Sequence, residues 1–159
     1  MRGAALALLA IAAAACGSPD GGAGEPDGAA AREAGAADGV VIVYKSPTCG
    51  CCAKWVDHIR AAGFQVEVRD TMNVQPVKTA HGLPAHLASC HTALVGGYVV
   101  EGHVPADVVR RLLRERPEVA GIAVAGMPAG SPGMEGFWTE PYDVIAFGRD
   151  GGTSIYERR

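Results

Sequence analysis

Val40-Val41-Ile42-Val43-Tyr44 is an unbroken apolar, β-branched run, the pattern of a strand buried on both faces. Ser46-Pro47-Thr48 breaks it. The spacing then becomes helical. Cys52, Trp55, Val56 and Ile59 stand at i, i+3, i+4 and i+7, which puts them on one face of a helix over 49–62, with Gly63 as its stop. Residues 64–68 alternate as a second strand. Strand, helix and strand in so short a span predict a parallel pair joined by a right-handed crossover. A weaker helical signal covers 73–82, and Leu83-Pro84 opens a loop. Residues 91–95 read as a strand, Gly96-Gly97 as a two-residue turn and 98–103 as the return strand. Pro105 suits the first turn of a helix that runs to 116 and is closed by Pro117, with Val108, Val109, Leu112 and Leu113 on its apolar face.

The resulting order, β-α-β-(α)-β-β-α, is that of a thioredoxin-like α/β fold. Residues 118–159 add a Gly/Pro/Met loop over 126–136. An extra hairpin follows: Val144-Ile145-Ala146-Phe147, a turn over 149–152, and Thr153-Ser154-Ile155-Tyr156. No internal repeat is visible.

Composition changes this picture mainly at the N-terminus. Hydrophobic residues make up 48% of the 159, but much of that is alanine in the first forty, so the core must come from residue 39 onward. Met1-Arg2 is a short positive start, and 3–15 is an apolar run too short to span a bilayer, which takes about 20 residues. Residues 1–15 therefore read as an export signal. The run ends in Ala13-Ala14-Ala15-Cys16-Gly17-Ser18, which resembles a bacterial lipobox with Cys16 as the lipidated residue; alanine at 13 departs from the usual leucine. The plainer reading is an ordinary cleaved signal with an incidental cysteine. Residues 16–38 carry too few large apolar side chains to offset the entropy of ordering, so they read as a flexible tether. A thioredoxin-like domain then occupies 39–159. This predicts a periplasmic protein held to the membrane only through a lipid anchor.

The net charge of −3 and the lack of a lysine/arginine run argue against nucleic acid as partner. Arg110, Arg111, Arg114 and Arg116 are expected on a solvated helix face.

The chemistry is concentrated in Cys49-Gly50-Cys51-Cys52. These thiols lie between a strand end and a helix start, where free N–H groups and the helix dipole favour thiolate, the form that attacks disulfides and binds soft metals. Cys49 and Cys52, at i and i+3, make a redox-type pair. Cys51 sets the motif apart, since a third thiol beside such a pair invites misoxidation but suits a soft ion or an ion cluster. If Gly96-Gly97 is a two-residue turn, Cys90 lies opposite His103, on the same face and within reach. Topology then brings Cys49, Cys51, Cys52, Cys90 and His103 into one site. The plainer reading of Cys90 is a small buried residue. His91 should face the other way and is read as structural; His58, His81 and His86 are read as surface residues. The donor set excludes magnesium and calcium. Zinc fits a subset as an inert site, an iron–sulfur cluster fits four cysteines less comfortably on an exported protein, and copper fits both the softness of the donors and an oxidising compartment.

The runs 44–52, Ser89-Cys90-His91-Thr92, Gly102-His103-Val104-Pro105 and 126–135 together resemble a bacterial family of unknown function that is credited with metal binding and includes the copper-resistance protein CopG. The resemblance covers about 40–150. It implies a thioredoxin-like fold, a periplasmic role in copper tolerance and a cysteine-bridged multi-copper site that interconverts Cu(I) and Cu(II). It also implies Cys49, Cys51, Cys52, Cys90 and His103 as ligands, and it raises Met127 and Met134, otherwise packing residues, to thioether candidates. Copper ions, periplasmic copper carriers and efflux components are the implied partners. The competing reading is a thiol–disulfide oxidoreductase in which Cys49 attacks and Cys52 resolves. Against it, Cys90-His91 stands where such enzymes usually carry a cis-proline. A structural zinc module is a third reading.

Overall fold

The computed structural model describes residues 39–159. The expected signal segment, the lipidation candidate Cys16 and the linker lie outside the described residues.

One mixed sheet of seven strands in the order β2-β1-β3-β4-β5-β6-β7 organises the domain. Strand β1 (Val41–Lys45) leads into helix α1 (Gly50–Ala61), and β2 (Val66–Asp70) returns parallel to β1. A short helix α2 (Gln75–Ala80) and a 3-10 turn (Ala85–Leu87) precede β3 (His91–Val95), which runs antiparallel to β1. Gly96 and Gly97 both take positive φ, 57° and 88°, so the two-residue turn forms and β4 (Tyr98–Glu101) pairs back with Val95 opposite Tyr98. Helix α3 (Ala106–Glu115) completes the expected thioredoxin-like α/β order.

Strand β4 is shorter than the sequence pattern suggests. Gly102, at φ 71°, ends it, and a Cβ there would lie 2.5 Å from the Val124 carbonyl and 2.6 Å from Ser89. Beyond α3 the chain adds β5 (Gly121–Ala123), parallel to β4 and unforeseen in the sequence because three residues show no alternation. The expected hairpin is present as β6 (Asp143–Phe147) and β7 (Thr153–Arg158).

The main core lies between one face of the sheet and helices α1 and α3. It contains Trp55, Val56 and Ile59 from α1, Val108, Val109, Leu112 and Leu113 from α3, and Val41, Val43, Ala93 and Val100 from the strands. The indole N–H of Trp55, fully buried, donates to the Val104 carbonyl at 2.8 Å, which ties α1 to the turn that follows β4. A smaller cluster of Leu87, Val99, Ala123 and Phe147 covers another part of the sheet. The arginines of α3 do more than solvate a face: Arg110 lies over the Phe64 ring, and Arg111 reaches Glu115 and Glu157.

Candidate metal centre

Cys49 is the N-cap of α1, and its sulfur accepts from the Cys52 N–H at 3.4 Å. Cys51 and Cys52 therefore sit in the first turn, with Cys52 buried in the core. Cys49 and Cys52 are joined as a disulfide, while Cys51 and Cys90 are free thiols. Cys51 Sγ lies 3.4 Å from Cys49 Sγ and 4.0 Å from Cys90 Sγ. The donor atoms of Cys49, Cys51, Cys52 and Cys90 all fall within 4.8 Å of one another.

His103 arrives from the residue after Gly102. Its Nε2 is 3.0 Å from Cys90 Sγ, and its Nδ1 is 2.8 Å from the Pro132 carbonyl. A carbonyl only accepts, so Nδ1 carries the proton and Nε2 presents its lone pair to the thiols. Burial lowers the His103 pKa, with the Pro132 bond and Glu135 opposing, which favours the neutral, metal-binding form. Burial, then the neighbouring Cys51, raises the Cys90 thiol to about 11. A soft cation supplies the charge that would let such a thiol ionise.

Loop 126–136 covers this corner. Gly133, at φ 88°, fits against the first turn of α1, where a Cβ would stand 2.6 Å from the Cys51 carbonyl and 3.0 Å from the Trp55 nitrogen. The Glu135 carboxylate accepts the Gly133 N–H at 2.7 Å. Met127 is half exposed, and its sulfur is 4.0 Å from Cys51 Sγ. Met134 holds the loop through its backbone: its N–H donates to the Ser131 carbonyl at 2.8 Å, and its carbonyl accepts from Gly130 at 3.0 Å.

Two histidines sit where sequence periodicity did not place them. His91 is fully buried and its ring lies 4.5 Å from Trp55 and 5.1 Å from His103, on the site's side of the sheet. Cys90 precedes β3, so strand alternation does not set the two side chains on opposite faces. Cys90, His91 and His103 form a second group of donor atoms within 4.8 Å. His58, expected at the surface, is half-buried, and its Nε2 accepts the Ala106 N–H at 3.0 Å. His81 and His86 are exposed as expected.

Beneath Cys90 lies a buried ionic tie. Lys78 pairs with the fully buried Glu101 and donates to Thr92 at 3.0 Å. The Glu101 carboxylate accepts from the Thr92 hydroxyl at 2.7 Å and from the Ser89 N–H at 2.6 Å. The backbone just before Cys90 is thus anchored to the sheet.

This mixed α/β domain brings four cysteine sulfurs and an oriented imidazole together at the start of its first helix, a donor set able to hold a metal ion. Comparison places it more narrowly. The family model described as a protein of unknown function, DUF411, matches residues 87–134. Two solved structures of copper resistance protein CopG, forms 1 and 2, each share 40% identity and a TM-score of 0.72. They cover 77% and 76% of this chain, and 98% and 97% of their own. The chain belongs to this family. No curated protein matches it.

Proposed function

We propose that the protein is a periplasmic copper-binding protein of copper resistance. It would hold Cu(I) in a thiolate-bridged cluster that interconverts with Cu(II), and reach the membrane through a lipid on Cys16. Cys49, Cys51, Cys52 and Cys90 would supply the bridging sulfurs and His103 a nitrogen. Met127 would add a thioether at the rim, with Met134 the further candidate. Copper ions are the cargo, exchanged with periplasmic carriers or efflux components. The observation that carries this reading is the convergence of four sulfurs with an imidazole whose other nitrogen is already committed to a carbonyl. Thiolate, thioether and imidazole together select copper over hard cations.

The test is metal content per chain. The protein is purified from copper-supplemented cells and assayed for Cu, Zn and Fe alongside free thiols. More than one copper per chain supports the cluster, and single leucine variants at Met127 and Met134 show which thioether reaches an ion. Zinc alone, at one ion per chain, points to the structural module.

The Cys49–Cys52 disulfide favours a second reading, thiol–disulfide exchange. Cys51→Ser separates the two, since exchange survives it while a bridged cluster loses metal. A chain without copper that reduces disulfides as fast in Cys51→Ser as in wild type makes exchange the function.

A further inference from the structure

The disulfide divides the donor set. With Cys49 and Cys52 bonded to each other, neither offers a thiolate. What remains is Cys51, Cys90, the Nε2 of His103 and the thioether of Met127, which stand in a row: Met127 beside Cys51, Cys51 beside Cys90, and Cys90 beside His103. We infer that the protein with its Cys49–Cys52 disulfide closed retains a separate mononuclear Cu(I) site made by Cys51, Cys90 and His103, with Met127 at its edge. This rests on the copper reading above and adds that the redox state of one cysteine pair sets the copper capacity.

The distances support it. Two sulfurs bonded to one ion at about 2.3 Å each stand roughly 3.8–4.6 Å apart, from tetrahedral to linear geometry. Cys51 and Cys90 are 4.0 Å apart, and so are Cys51 and Met127. Both pairs accept an ion with little movement. Cys90 and His103, at 3.0 Å, are in hydrogen-bond contact; an ion needs them to open by about half an ångström, and Cys51, which falls outside the group that holds Cys90 and His103, must turn toward Nε2 to share it. The Nδ1–H bond to Pro132 keeps Nε2 aimed while that happens. Each of the four donors comes from a different segment: α1, the turn before β3, the turn after β4 and the covering loop. The disulfide joins the N-cap of α1 to its first turn and makes no bond to the other three segments.

The consequence is a protein with two capacities. The fully reduced chain takes several coppers across five or more donors. The disulfide chain gives up those that need Cys49 or Cys52 and keeps one.

The test titrates the full chain anaerobically with Cu(I) against a chromophoric Cu(I) chelator, in two states. One is fully reduced. The other is prepared without reductant, with mass mapping used to confirm the Cys49–Cys52 link and alkylatable Cys51 and Cys90. The disulfide chain is expected to hold about one Cu(I), with sulfur and nitrogen scatterers in X-ray absorption, and the reduced chain more than one. In the disulfide state, Cys51→Ser, Cys90→Ser and His103→Ala should each weaken binding at least about tenfold, and Met127→Leu less. Cys49→Ser/Cys52→Ser, checked for folding by circular dichroism, should also hold about one Cu(I). A disulfide chain that is empty, or that binds as many ions as the reduced one, overturns the inference and leaves the copper function standing. So does mapping that finds Cys51 joined to Cys90. A reduced chain that binds no copper removes the functional reading itself.

Discussion

Gly133 shows how much one residue can control at this corner. It sits at φ 88° with the Cys51 carbonyl and the Trp55 nitrogen where a Cβ would go. Both are backbone atoms of α1 and cannot swing aside. Gly133→Ala must therefore lift the loop, and with it the Pro132 carbonyl that orients His103. The expected cost is about 1–3 kcal/mol in stability. Loss of the orienting bond should weaken copper about 10–100-fold, as removal of such outer partners does elsewhere. Chelator competition on Gly133→Ala and Gly136→Ala checks this, because a Cβ at Gly136 meets nothing within 4 Å and should leave affinity unchanged. His58 offers a second test. Burial lowers its pKa below the ordinary 6.5, with Glu135 and Asp107 opposing, and its neutral Nε2 accepts the first N–H of α3. A depressed histidine contributes stability above the unfolded pKa and loses it as pH falls through the folded value. His58→Ala should cost about 1 kcal/mol, as for lost helix caps, near neutral pH. That difference should vanish in urea unfolding on the acid side of the folded pKa. A constant difference across that range would show that His58 acts by packing.

At the scale of elements, the buried Lys78–Glu101 pair links α2, β3, β4 and the turn that carries Cys90. Removing one partner strands a buried charge, so Lys78→Met should cost about 3–5 kcal/mol. Lys78→Met/Glu101→Leu should recover much of that loss, since an apolar pair carries no desolvation penalty. Only Glu101 accepts the Ser89 N–H, however. The double variant should regain stability without regaining copper affinity, and comparing the two by urea unfolding and Cu(I) competition separates fold from positioning. Elements also show what a sequence carries. The runs at 40–44 and 64–68, the i, i+3, i+4 spacing of α1 and the glycine pair were readable, because each repeats a period or demands a positive φ. The glycine pair alone placed Cys90 against His103. β5 was hidden by its three-residue length. The inward turn of His91 was hidden because Cys90 lies outside β3, and the His58 cap because it joins residues 48 positions apart. The disulfide entered only as the competing reading, since adjacent thiols do not reveal their own pairing.

For the molecule as a whole, the centre is where separate parts of the chain are pinned together. α1 supplies Cys49, Cys51 and Cys52, the turn before β3 supplies Cys90, and the turn after β4 supplies His103. Loop 126–136, well outside the β-α-β-α-β-β-α unit, closes over them through Pro132, Gly133 and Met127. An ion here would add cross-links between the covering loop and segments already joined by the sheet and core, where the loop itself is held to α1 and His103 by the Gly133 contact and the Pro132 carbonyl. Binding to the folded state alone adds about 4 kcal/mol when free ligand exceeds the dissociation constant a thousandfold. For a domain of this size each kcal/mol moves Tm by roughly 3–6 °C. Copper loading of the reduced protein should therefore raise Tm by on the order of 10 °C or more, and a Cu(I) chelator should reverse it. The location of the gain matters more than its size. Hydrogen exchange should slow first in 126–136 and in the first turn of α1, while amides of β6 and β7, which contribute no donor, change only through global stability. A rise in Tm with 126–136 and the first turn of α1 slowed no more than β6 and β7 would count against the cysteine corner and its covering loop as the site.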